Sequence, residues 1–234
     1  MAASTITIPS PSTTPAPRRT ARSLAFGAIG GPLLFTLAWI GFGLLRPPVQ
    51  TPFGVVGGLT GTISNPIGGL GVGPDATAFN TLFVVCGLWQ LVGTVSAMRA
   101  IPSGGRAGLR TLSTALLAIS PLCLALAGMF TLASALYVHI VVGMLLFVSP
   151  VVSFLVTGFF LRAAPGWQRF GTSLLLGSPL TLVLFLVYSA SFDQATAAAG
   201  LGVAGLTERV LLLEIQLWYV LLGWLARPKR TNLV

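Results

Sequence analysis

Six long apolar stretches alternate with shorter polar segments along the chain. They run approximately over Leu24–Leu45, Ala78–Met98, Leu109–Phe130, Leu136–Leu161, Gly171–Ser191 and Thr207–Leu225. Each is close to the roughly 20 residues that an α-helix needs to cross a bilayer. The pattern therefore predicts an all-α fold, a polytopic transmembrane bundle of six helices.

The apolar segment Thr51–Gly73 differs from these six because glycine and proline crowd it, as in Gly57-Gly58, Pro66 and Gly68-Gly69. Membrane helices tolerate glycine, but this density favours an ordered loop or a re-entrant cap over the outer face. We therefore predict a glycine-rich outer loop over residues 46–77 rather than a seventh span.

The two ends of the chain have a different composition from the spans. Residues 1–22 are rich in Ser, Thr, Pro and Ala, which predicts a disordered cytoplasmic tail. The basic residues that precede the first apolar stretch are typical of a signal peptide, but that stretch is too long and lacks a small-residue cleavage site, which favours a retained signal anchor. The predicted organisation is the tail 1–22, a six-helix transmembrane domain over 23–226, and a basic cytoplasmic tail over 227–234.

Composition agrees with a membrane protein. Charged residues are 7% of the chain, whereas a soluble domain carries about 25%. The net charge of +9 does not indicate nucleic-acid binding, because the basic residues are scattered at the ends of the spans. The two cysteines, Cys86 and Cys123, lie in apolar stretches, so we predict neither a disulfide framework nor a thiolate zinc site, and no cofactor.

The basic residues also predict the orientation. Arg46 and Arg209 are the two that fall on one side of the predicted topology. The other side holds the remaining eleven: Arg18, Arg19, Arg22, Arg99, Arg106, Arg110, Arg162, Arg169, Arg227, Lys229 and Arg230. Because Lys and Arg concentrate in cytoplasmic loops, both termini are predicted to be cytoplasmic, in a bacterial plasma membrane.

Three Ser-Pro pairs recur at a spacing of 29 residues, each near the middle of a predicted helix: Ser120-Pro121, Ser149-Pro150 and Ser178-Pro179. Proline has no N–H to donate to the carbonyl four residues earlier, which is that of Leu117, Leu146 or Leu175. Aligned kinks could open a cavity or a hinge, or they could be ordinary packing bends.

The ionisable residues of the outer half supply the candidate chemistry. All four acids fall there, together with the single histidine. Ionisable groups in a membrane usually face the bundle interior or a wet cavity and are paired. We predict one polar cluster beneath the outer loop, with His139 and Glu214 as catalytic candidates. Its candidate binding residues are Ser64, Asn65, Asp75, Asn80, Glu208 and Arg209.

Several of these residues also have a structural interpretation, and His139 could be a hydrogen-bonded histidine at the membrane interface. Thr207 could cap the sixth helix, with Glu208 favouring its positive end. Arg209 could neutralise Asp75 or Asp193 and hold the outer loop down. Glu214 could exchange a proton or could make a structural hydrogen bond, for example to Gln90.

Short motifs add a resemblance to a known family. They are Ile63-Ser64 and Leu70-Gly71 in the outer loop, Phe79-Asn80 and Gly87 in the second helix, His139 in the fourth, and Glu208-Arg209 and Trp218 in the sixth. On these motifs the chain resembles the bacterial domain-of-unknown-function 998 family of six-helix membrane proteins, over about Leu24 to Leu225. It departs from the family pattern at Phe130-Thr131, where the family usually has an acidic residue. The resemblance implies the fold and an outward-facing polar cluster, but no activity.

Two functions from different classes follow. The outer cluster could bind a membrane lipid or another lipid-like small molecule. Alternatively, the protein could be an intramembrane enzyme in which Glu214 or His139 performs acid–base chemistry on a lipid-like or prenyl substrate, as in a membrane terpene cyclase. The predicted partners are membrane lipids and no nucleic acid, and the sequence does not specify an oligomeric state.

Overall fold

Six long helices are joined by short loops and one structured cap in the computed structural model, which describes residues 24–227. The predicted tail 1–22 and residues 228–234 lie outside the described part of the chain. In chain order the elements are helix α1 (Gly27–Leu44), strands β1 (Val49–Thr51) and β2 (Gly54–Val56), helix α2 (Gly58–Ser64), a 3-10 helix (Ile67–Val72), and helices α3 (Ala76–Ala100), α4 (Ala107–Met129), α5 (Leu136–Arg162), α6 (Gln168–Ser191), α7 (Gln194–Ala198) and α8 (Ala204–Ala226).

Helices α1, α3, α4, α5, α6 and α8 are long and apolar enough to cross a membrane. Their bounds differ from the predicted spans by three residues or fewer at each end. The prediction of a six-helix, all-α polytopic bundle is therefore confirmed. The segment Thr51–Gly73 forms no span, as predicted, because its longest helix is α2 with seven residues.

Helix α8 closes the bundle. The first five spans pack in sequence order, α1 on α3, α3 on α4, α4 on α5 and α5 on α6, and α8 lies between α1 and α6 while also touching α3 and α5. Twelve of its 23 residues are buried, so lipid can reach only one side of this helix. Helix α8 therefore joins α1 and α6, the first and last helices of this row.

Small residues let the spans approach closely. Where α1 crosses α3, a Cβ added to Gly93 would lie 1.8 Å from the backbone nitrogen of Ala28. Lipid is as apolar as leucine, so helices in a bilayer gain from close packing rather than from hiding apolar surface. A larger residue at Gly93 would force these two helices apart.

The segment between α1 and α3 folds into a cap, which we define as residues 46–75. Strands β1 and β2 pair antiparallel, with Val49 opposite Val56 and Thr51 opposite Gly54. Helix α2 and the 3-10 helix then return the chain to α3. This ordered cap lies at the end of the bundle where α1 ends and α8 begins, and its position on the outer face stays a prediction.

Pro121, Pro150 and Pro179 lie inside helices α4, α5 and α6. At Pro121 the freed carbonyl of Leu117 accepts a hydrogen bond from the Tyr219 hydroxyl of α8, at 2.8 Å. In the third pair, Ser178 donates to the carbonyl of Val151 on α5, also at 2.8 Å. These two Ser-Pro pairs therefore make contacts between helices, and a hinge role stays a prediction.

The Tyr219 contact can be tested with a double-mutant cycle. Tyr219→Phe should lower the free energy of unfolding by about 1 kcal/mol, because it removes one interhelical hydrogen bond. Pro121→Ala restores a backbone N–H for the Leu117 carbonyl, so Tyr219→Phe should cost clearly less in that background. Unfolding in mixed micelles measures both values, and an equal cost in the two backgrounds would contradict the pairing.

The orientation stays a prediction, which cysteine labelling can test. Ala107 and Ala133 are exposed; Ala107 begins α4, and Ala133 lies in the loop that follows its other end. In a background lacking Cys86 and Cys123, a membrane-impermeant maleimide should label Ala133→Cys in intact cells and Ala107→Cys only after permeabilisation. The reverse pattern would place the cap on the cytoplasmic side.

Candidate functional site

Arg209 is a buried cation that joins α8 to the cap. Its side chain is 3% exposed. Nη1 donates to the carbonyl of Thr62 at 2.7 Å, to that of Asn65 at 3.0 Å and to that of Gly205 at 2.8 Å. Thr62 and Asn65 lie at the C-terminal end of α2, where carbonyls lack partners within the helix and the helix dipole is negative. The guanidinium therefore satisfies this end of α2 and ties it to α8.

Gly205, one turn before Arg209, makes room for this contact. A Cβ at Gly205 would lie 2.3 Å from the Asn65 carbonyl oxygen and 2.7 Å from that of Thr62. No side chain fits there without displacing the end of α2. Gly205 and Arg209 together thus bring the cap backbone against α8.

Glu208 makes the complementary contact at the next helix of the cap. Its side chain is 6% exposed, and its carboxylate accepts a hydrogen bond from the backbone N–H of Ile67. Ile67 is the first residue of the 3-10 helix. Backbone N–H groups at a helix start have no partner within the helix, and a negative charge is favoured there. Consecutive residues of α8 thus hold the end of one cap helix and the start of the next.

This geometry corrects two predictions. Thr207 does not cap α8, because the helix already begins at Ala204 and the Thr207 hydroxyl donates back to the carbonyl of Val203 within the helix. Arg209 neutralises neither Asp75 nor Asp193. It does hold the outer loop down, through backbone carbonyls rather than carboxylates.

The three uncharged candidates also bind backbone groups. Asn65 Nδ2 donates to the carbonyls of Phe53 at 3.2 Å and Val55 at 3.1 Å, which joins α2 to the hairpin. Asn80 Nδ2 donates to the Gly71 carbonyl at 2.9 Å, and Ser64 Oγ to that of Thr60 at 2.9 Å. Their side chains hold the cap together, and their binding role stays a prediction.

Asp75 and Asp193 lie directly before the first residues of α3 and α7. Asp75 forms an ion pair with Arg46, with 3.1 Å between Nε and Oδ2. Asp193 accepts a hydrogen bond from the Thr196 backbone N–H at 2.9 Å, at the start of α7. That N–H stabilises the carboxylate and lowers the pKa of Asp193.

His139 lies beneath the 3-10 helix. Its Nδ1 is 2.7 Å from the Phe130 carbonyl oxygen, which can only accept, so Nδ1 carries a hydrogen and donates it. Its Nε2 faces the backbone of Gly68, where an added Cβ would lie 2.8 Å away. His139 therefore lies between the end of α4 and the cap, and its catalytic role stays a prediction.

Glu214 lies apart from these residues. Its two carboxyl oxygens are 3.0 and 2.9 Å from the Thr181 hydroxyl of α6, and the Trp218 indole N–H donates to one of them. The prediction of a hydrogen bond from Glu214 to Gln90 is wrong, because Glu214 bonds to Thr181 and Trp218 instead. The structure therefore separates the predicted cluster into a group around the cap and a second group between α6 and α8.

An open cleft lies between the cap and the end of α1. Its volume is about 170 Å³. Most of its walls are apolar, and the Arg46–Asp75 ion pair lines it. The lining residues are Phe42, Arg46, Pro47, Val49, Val56, Gly57, Leu70, Gly73, Pro74 and Asp75.

A groove along α1 continues the cleft towards the lipid. It is lined by Leu37, Ala38, Gly41, Phe42, Leu45 and Arg46 and shares Phe42 and Arg46 with the cleft. Leu37 is 66% exposed and Leu45 is 80% exposed, on the surface that a bilayer would cover. Sequence reasoning missed this site, although Arg46 and Asp75 stand as opposite charges at the two ends of the predicted loop.

Residues 29–225 match the family model described as "Protein of unknown function (DUF998)". The chain belongs to this family. The match confirms the resemblance drawn from the short motifs. Neither a curated protein nor a solved structure matches the chain.

The contacts of Arg209 predict a large loss of stability on its removal. Arg209→Ala should lower the free energy of unfolding by about 3 kcal/mol or more, because hydrogen bonds to a charged group contribute roughly 1.5–3 kcal/mol each. The free energy of unfolding of Arg209→Lys should lie between those of the wild type and Arg209→Ala, since a compact ammonium replaces the forked guanidinium. Folded yield in detergent and thermal unfolding measure the effect.

Arg46→Ala is the matched control. Arg46 is 56% exposed in its ion pair, and such pairs contribute about 0–1 kcal/mol. If Arg209→Ala unfolded no more easily than Arg46→Ala, the role of Arg209 in holding the cap would be contradicted.

Proposed function

We propose that this membrane protein binds an amphiphile with an apolar chain and a phosphate-bearing head, in the cleft beneath its cap. The observation that carries the proposal is the continuity of the cleft with the groove along α1. A lipid could enter sideways from the bilayer without crossing water.

The groove suits an apolar chain. Its floor is Gly41, and no atom lies within 4 Å of a Cβ added there. Leu37 and Leu45 border this space, and Phe42 lines both the groove and the cleft. An acyl or prenyl chain lying along α1 would cover these residues, and burial of each CH₂ contributes about 0.8 kcal/mol.

The cleft suits a polar head. Arg46 lines both the cleft and the groove, so the same guanidinium could meet the head of a molecule whose chain lies along α1. Guanidinium groups bind phosphate through paired N–H donors. Asp75, one of the predicted binding residues, holds Arg46 in place through two contacts of 3.1 and 3.2 Å.

The catalytic alternative receives less support from the geometry. A general acid or base must come within hydrogen-bonding distance of the group it serves, directly or through one water molecule. Neither His139 nor Glu214 lines the cleft or the groove. Binding of an amphiphile is therefore the function that the arrangement supports best.

Filling the groove tests the proposal. The probe is a phosphatidylglycerol with a photoactivatable diazirine in one acyl chain, incorporated into liposomes with the purified protein. Cross-links mapped by mass spectrometry should concentrate on residues 37–46 and on the cap. Gly41→Leu should reduce them at least several-fold, because its side chain occupies the groove.

Gly143→Leu is the matched control. It makes the same substitution at another helical glycine with no atom within 4 Å of an added Cβ. This variant should leave the cross-links at residues 37–46 unchanged. Cross-links spread evenly over all lipid-facing helices, or unaffected by Gly41→Leu, would overturn the proposal.

A further inference from the structure

Glu214 is an acid without a cation beside it. It lies six residues after Glu208 on α8, about 9 Å farther along the helix at a rise of about 1.5 Å per residue. Within residues 24–227, the one ion pair is Arg46–Asp75. An unpaired carboxylate is costly at such a position in a membrane, so the hydrogen bonds around Glu214 must stabilise it.

The Thr181 hydroxyl faces three acceptor oxygens. Both carboxyl oxygens of Glu214 lie within 3.0 Å of it, and so does the Gly177 carbonyl oxygen, at 3.0 Å. The hydroxyl has one hydrogen and can also accept. When Glu214 is ionised, Thr181 donates to it. When Glu214 is protonated, Glu214 donates to Thr181, and Thr181 donates to Gly177.

Rotation of one hydroxyl thus accommodates both protonation states, and no backbone movement is needed. The Trp218 indole N–H donates to Glu214 in either state. The indole is held in place on several sides. An added Cβ at Gly177 would lie 2.6 Å from its ring, and the rings of Phe154 and Phe170 lie 6.3 and 6.2 Å from it.

We propose that Glu214, Thr181 and Trp218 form a proton-binding site within the bilayer, accessible from the lipid between α6 and α8. Glu214 is half-buried, and its neighbours Leu213 and Leu217 on α8 are exposed, as is Leu180 on α6. This site is separate from the proposed cleft and does not depend on it.

The surroundings of Glu214 make it the group that takes the proton. Its hydrogen-bonding partners are Thr181 on α6 and Trp218 on its own helix, and neither titrates near neutral pH. The ring that α5 packs against Trp218 is Phe154, which does not titrate. The other two charged residues of α8, Glu208 and Arg209, are engaged with the cap backbone.

An apolar carbodiimide tests the site, because it dissolves in lipid and reacts with protonated carboxyl groups. The carboxyl O–H adds across one C=N bond: oxygen bonds to the carbodiimide carbon, and the proton goes to nitrogen. The resulting O-acylisourea rearranges to a stable N-acylurea, with no group lost. The reagent is dicyclohexylcarbodiimide, applied to the protein in liposomes, and the readouts are intact mass and peptide mapping.

The wild-type protein should gain one adduct, on Glu214, and its rate of formation should fall as the pH is raised. Glu214→Gln should gain none. A water-soluble carbodiimide should instead modify the exposed Asp193 and leave Glu214 unmodified. Absence of the Glu214 adduct at every pH, or a rate independent of pH, would overturn the proposal.

Trp218→Phe tests the local arrangement even if Glu214→Gln folds poorly. It keeps an aromatic ring against Phe154 and Phe170 but removes the N–H that stabilises the ionised carboxylate. Adduct formation should then persist to higher pH than in the wild type. An unchanged pH profile would show that the indole does not act on Glu214.

Discussion

The cap depends on two consecutive residues of α8 that satisfy opposite ends of two short helices. Arg209 lies at the carbonyl end of α2, and Glu208 lies at the N–H end of the 3-10 helix. Short helices leave most of their terminal backbone groups without internal partners, and a position beside lipid offers little water to replace them. Each charge also matches the sign of the dipole at its helix end. Without this pair, the C-terminal end of α2 and the first turn of the 3-10 helix would lose these hydrogen bonds to α8.

The cleft follows from that attachment. Leu70 and Val56 of the cap form part of its wall, and α1 supplies Phe42 on the other side. The cap is held to α8 by Glu208 and Arg209 and, through Asn80, to α3. The Arg46–Asp75 ion pair joins the two ends of the cap across this space. The structure therefore leaves an opening where α1 meets the cap.

Hydropathy predicted the fold well, because the length of an apolar run decides whether a helix can span a bilayer. The eight glycines and two prolines of Thr51–Gly73 disfavour a long helix, and this density predicted an ordered loop or cap there. The partners of the polar residues were less predictable. Spans that are apolar on all sides do not show which face meets protein, and the C-terminal end of α2 that Arg209 binds exists only after the cap has folded.

One error could have been avoided from the sequence. Successive residues of an α-helix are rotated by about 100°, so Glu214 is turned by about 240° from Glu208. The two acids therefore face different neighbours, and a single cluster containing both was improbable on geometry alone. The contacts agree: Glu208 meets the 3-10 helix, whereas Glu214 meets Thr181 on α6.

The polar residues of α8 explain how this apolar helix packs in one defined position. Lipid is about as apolar as the side chains it competes with, so apolar faces alone do not select a neighbour. On α8, Arg209 bonds to α2, Glu214 bonds to α6, and Tyr219 bonds to the carbonyl that Pro121 frees on α4. These side chains point in different directions from α8. A single orientation of the helix about its long axis allows all three contacts at once. The insertion of α8 thus depends on its hydropathy, and its packing depends on a few directional hydrogen bonds.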